Sequence, residues 1–108
     1  MMEHKKTLSV FKRVKQLSNE NKLVWKEEAD GITFYTSVSD YKIYIGKSVG
    51  TVSFELFNHQ NVKIGALEHG GYSENTVGLD TFYEQVRRTV LKLDDGLDDL
   101  LNQLDRID

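Results

Sequence analysis

Asp30-Gly31-Ile32-Thr33-Phe34-Tyr35-Thr36-Ser37-Val38-Ser39-Asp40-Tyr41-Lys42-Ile43-Tyr44-Ile45-Gly46 is the stretch on which the fold turns. Asp-Gly between apolar segments is the strongest short hairpin signal. After it, Ile32, Phe34, Thr36 and Val38 alternate with Thr33, Tyr35 and Ser37. That is the period of a strand with one buried face. Ser39-Asp40 marks a tight turn. Tyr41, Ile43 and Ile45 then alternate with Lys42, Tyr44 and Gly46.

The same signals extend on both sides. Residues 23–28, Leu-Val-Trp-Lys-Glu-Glu, form a candidate first strand. Gly50 breaks the pattern, and Val52, Phe54 and Leu56 alternate with Ser53, Glu55 and Phe57. Asn58-His59-Gln60-Asn61 reads as a turn. Val62, Ile64 and Ala66 start a last strand that ends by Glu68. The expectation is an antiparallel meander of four or five short strands.

Helical spacing appears only outside this region. Leu8, Phe11, Val14 and Leu17 recur every third residue and predict a helix over residues 4–19. Residues 69–75, around Gly70-Gly71, form the longest loop candidate. A helix follows, from Thr76 or Asp80 to Leu91, with Leu79, Phe82, Val86, Val90 and Leu93 as its stripe. Asp94 reads as the N-cap of a final short helix, with Asp95 in its first turn. Leu97, Leu100, Leu101, Leu104 and Ile107 form its apolar face. The fold class expected is α+β: an N-terminal helix, the sheet, and one long or two short C-terminal helices packing on one face. The 108 residues make a single domain.

Composition narrows function by exclusion. Cys and Pro are absent, so there is no disulfide framework, zinc knuckle or thiol nucleophile. The start, Met-Met-Glu-His-Lys-Lys, leads into an amphipathic stretch rather than a signal peptide. No window approaches the ~20 apolar residues of a membrane span. A soluble, cytoplasmic protein without a membrane partner is expected. The net charge of −3 is too small to argue for a polyanionic partner. Its distribution is uneven: residues 1–26 carry +5 and residues 74–108 carry −5. Two oppositely charged helices would pack together, within one chain or across a dimer, in preference to a nucleic-acid arm.

Each candidate site has a plainer structural reading. Asp94, Asp95, Asp98 and Asp99 fail the spacing of a calcium loop and read as a solvated helix face. His59 and His69 lack a third ligand and make a poor metal site. No Gly-x-Ser-x-Gly elbow is present, and Gly70-Gly71 does not match a phosphate loop. Arg87-Arg88 suggests an ion pair from Glu84 to Arg88, with Tyr83 spaced likewise from Arg87. The alternative is an anion or partner-docking pair, because the guanidinium fork suits carboxylates and phosphates. Tyr35 and Tyr44 fall opposite Phe34, Ile43 and Ile45 on the sheet, and Phe57 joins them by alternation. Exposed sheet aromatics can stack bases or form protein interfaces. Only Lys42 and Lys63 lie near them, so nucleic acid is disfavoured.

Leu23-Val24-Trp25-Lys26, Asp30 to Phe34, Tyr83 to Arg88 and Leu97-Asp98-Asp99-Leu100-Leu101 together resemble a group of small bacterial proteins of uncharacterised function. Alanine often precedes the Arg pair in that group, whereas Val86 stands there in this chain. The resemblance implies the same order of elements, and no activity is carried over from it.

The leading expectation is a non-enzymatic protein-interaction or regulatory module that self-associates as a homodimer. No cofactor, metal or catalytic residue is expected. Leu97, Leu100, Leu101 and Leu104 are the expected contact, with Arg87, Arg88, Tyr35 and Tyr44 as further partner-binding candidates. Five large aliphatics on so short a helix exceed what one face of a small core absorbs. The alternatives are a single-stranded nucleic-acid binder using the sheet tyrosines and the basic first helix, and a binder of a small anionic ligand.

Overall fold

Alternation after Asp30 does build a sheet, and helical spacing at the two ends does build helices. The computed structural model describes residues 2–69 and 78–107. In order the elements are α1 (Met2–Asn19), β1 (Lys26–Glu27), β2 (Thr33–Val38), β3 (Tyr41–Ser48), β4 (Thr51–Phe57), β5 (Lys63–His69), α2 (Leu79–Leu91) and α3 (Leu93–Asp105). The five strands are antiparallel neighbours in sequence order. Apart from His69, which closes β5, the expected loop over residues 69–75 lies outside the described residues, as does Thr76.

The turns follow from side-chain chemistry. The Asp30 carboxylate accepts the N–H groups of Ile32 and Thr33 at 2.9 Å and the Thr33 hydroxyl at 2.7 Å. These bonds, led by that from Ile32, hold the Asp30 carboxyl below its usual range. The β3–β4 hairpin turns on two residues, since Ser48 pairs with Thr51. Its central residues, Val49 and Gly50, both have positive φ, 49° and 79°. Glycine takes this conformation freely, but a β-branched residue is strained there. Val49→Asn is therefore expected to raise stability by about 1 kcal/mol, because asparagine tolerates the left-handed region. A urea denaturation midpoint that stays put or falls would contradict the strain.

One sheet face carries the core. Phe34, Ile43, Ile45, Val52, Phe54, Leu56 and Leu67 point to it and are buried. α1 adds Phe11 and Val14, and α2 adds Leu79, Phe82, Tyr83 and Val86. Phe11 joins the layers: its ring meets Phe54 at 5.0 Å and Phe82 at 5.6 Å, both edge to face. Gly65 lets α1 lie close over β5, where a Cβ would fall 2.6 Å from the Thr7 hydroxyl. The Tyr83 hydroxyl donates to the Ile32 carbonyl at 2.9 Å. Burial pushes that phenol above its ordinary pKa.

Four local expectations need correction. The first strand shrinks to Lys26–Glu27. Trp25 packs on Phe82 at 5.8 Å and its indole donates to the Ser18 hydroxyl. The Val24 carbonyl takes the Thr36 hydroxyl, so these residues leave the ladder. In β5 a register shift opposite Leu56 and Phe57 turns Ile64 outward and places Gly65 and Leu67 inward. Asp94 does not cap α3; that position belongs to Lys92, at φ 54° and ψ 44°. Arg88 does not pair with Glu84: Arg87 takes Glu84 at 2.9 Å, and Arg88 reaches Asp94 at 2.5 Å.

Candidate interaction surfaces

α3 begins where α2 stops. The Lys92 N–H donates to the carbonyls of Arg88 and Thr89, and the left-handed Lys92 redirects the chain. Asp94 and Asp95 then stand in the first turn of α3, where carboxylates favour the helix dipole. The Arg88–Asp94 pair spans the joint. Beyond it, α3 buries none of its residues. Leu97, Leu100, Leu101 and Leu104 are each 52–59% exposed, and Ile107 is 78% exposed. The molecule measures 60 Å along its longest axis and 25 Å along its shortest. Asp95, Asp98 and Asp99 are exposed on the flank and far side of the helix.

An isolated helix of 13 residues is marginal in water. Gly96, with nothing near its Cβ position, weakens it further. A leucine stripe on such a helix gains its stability by meeting another surface.

The outer sheet face is the second surface. α1 and α2 cover the core face, and no described element covers the other. Tyr35 and Tyr44 sit directly opposite each other in the ladder, with ring centroids 5.9 Å apart. Phe57 meets Tyr44 edge to face at 5.4 Å. The Lys42 ammonium lies 5.9 Å from the Tyr35 ring. Lys63 is tied to Glu55 at 2.9 Å. Beside Tyr44 the absent side chain of Gly46 leaves a shallow hollow of about 210 Å³, bordered by Asp30, Thr33, Ser53 and Glu55. Alternation places Tyr35, Tyr44 and Phe57 on one face, but the register that gathers them is not legible in the sequence. A larger hollow of about 360 Å³, between the end of α1 and α2, has Leu23, Trp25, Phe82, Val86 and Val90 on its apolar side and Ser18, Asn19, Asn21, Gln85, Thr89 and Lys92 among its polar lining.

Arg87 and Arg88 each donate one N–H to a carboxylate, Glu84 and Asp94 in turn, which offsets the charge either would offer an anion. His69 lies 3.4 Å from Asp80, whereas His59 stands exposed in its turn. Among the described residues no group of three His, Cys, Asp or Glu is placed to hold a metal ion. No helix among them is long and apolar enough to cross a membrane.

No family model matches the chain, and no solved structure matches it. Over 51 residues, 47% of its length, the chain is 31% identical to a lectin of Luffa acutangula. The matched stretch spans 24% of that lectin.

Proposed function

We propose that this chain is a non-enzymatic interaction module that associates with itself through the leucine face of α3. The observation that carries this reading is a helix with a complete apolar stripe and no buried residue. Full burial of a Leu or Ile side chain contributes about 1.5–3 kcal/mol. Each of the five has roughly half or more of its surface still to bury. Covering two such faces then contributes about 7–15 kcal/mol, against roughly 4–15 kcal/mol for association. A reversible homodimer is the expected form.

Amide hydrogen exchange at rising protein concentration tests it. Protection of α3 should grow with concentration, while protection of the sheet stays constant. Exchange in α3 that ignores concentration would sink the reading.

A second reading places a neutral saccharide on the outer sheet face. Its support is the partial likeness to a lectin together with an aromatic row beside a polar hollow. Tyr35, Tyr44 and Phe57 would offer ring faces, and Ser53 and Glu55 would offer hydrogen bonds. On a glycan array the parent should retain oligosaccharides that Tyr44→Ala loses. An array blank for both proteins would reject it. The single-stranded nucleic-acid reading has less support: it needs the sheet tyrosines and the basic α1 together, and these lie on opposite sides of the sheet. The anionic-ligand reading has less support, because Arg87 and Arg88 are each paired with a carboxylate.

A further inference from the structure

The surface that receives α3 can be read from charge and spacing. We infer that each α3 docks on α1 of a second copy, so that two copies exchange their last helices reciprocally. This rests on the self-association proposed above and names the surface that completes it.

α3 carries Asp94, Asp95, Asp98, Asp99 and Asp105. Pairing α3 with α3 would set two such helices side by side, and like charges at close range repel. α1 has the opposite character, with Lys5, Lys6, Lys12, Arg13 and Lys15 against one acid, Glu3. Among the described residues no ion pair links α1 to any acid, and none joins it to α3 of the same chain. The charge match inside one chain is thus unused.

Apolar spacing agrees with the charges. Lys6, Val10, Arg13 and Leu17 follow one another at intervals of four, three and four, which makes them one row on α1. Val10 is 40% exposed and Leu17 half-buried. On α3, Asp94, Asp98, Leu101 and Asp105 form a row of the same spacing, beside Leu97 and Leu104. Laid antiparallel, Leu101 meets Val10 and brings Asp105 to Lys6 and Asp98 to Arg13. At 1.5 Å per residue, α3 is about 20 Å long and α1 about 27 Å, so the one fits along the other.

Charge exchange tests this. Lys6→Glu with Arg13→Glu reverses the α1 row, and Asp98→Lys with Asp105→Lys reverses the α3 row. All four residues are exposed, so near-ultraviolet circular dichroism should report an unchanged core. By sedimentation equilibrium at low salt, each double variant should dimerise roughly tenfold or more weakly than the parent. The chain carrying all four changes should return to within about threefold of it. A dimer untouched by the α1 reversal would overturn the inference and leave self-association standing. So would a fourfold variant as weak as either double variant. A parent that is monomeric at every concentration would remove both.

Discussion

Replacing Leu100, Leu101 and Leu104 together by Asp should leave the protein monomeric with its sheet intact. The three side chains are 52%, 59% and 52% exposed and contribute nothing to the core. Their loss should therefore change the stability of the body by no more than about 0.5 kcal/mol. Self-association should disappear, because three carboxylates would have to be desolvated on a helix that is already acidic. The far-ultraviolet spectrum should lose only the helical signal of α3, and the urea midpoint should hold. A triple variant that still dimerises would move the contact to another surface, such as the edge at β1 or β5.

Phe11→Ala should have the largest effect on stability. Phe11 is 1% exposed, and its ring fills the junction of α1, β4 and α2 against Phe54 and Phe82. Truncating a buried phenylalanine costs about 3–5 kcal/mol, from lost transfer energy and the cavity left behind. A domain of this size holds only about 5–15 kcal/mol in total. The variant should sit near the edge of folding, and Phe11→Leu should fall between it and the parent. Denaturant unfolding measures both. A loss under about 1 kcal/mol for Phe11→Ala would mean that α1 is not docked as described.

The sheet was legible in the sequence because its signals are local. Asp30-Gly31 makes its own turn through the Asp30 carboxylate, and the alternation from Phe34 to Leu56 needs only one covered face. Trp25 was not legible, because its place is set by Phe82 and Ser18, which lie elsewhere in the chain. The phase of β5 depends on a bulge that no residue type announces. The break between the last two helices was legible from Asp94, but not its placement on Lys92, which takes a left-handed conformation. With that break, Arg88 finds Asp94 instead of Glu84.

The candidate surfaces were half legible. Alternation put Tyr35, Tyr44 and Phe57 on one face, but only the placement of α1 and α2 shows which face is covered. The excess of leucine in α3 was evident from its count. Its exposure was not, since the same stripe on a packed helix would have been core.

The absolute mass of the intact chain, by light scattering on a sizing column, tests self-association most directly. A mass near twice 12.4 kDa that falls towards one copy on dilution is the expected result. A single copy of 12.4 kDa at every concentration, up to several hundred micromolar, would contradict it.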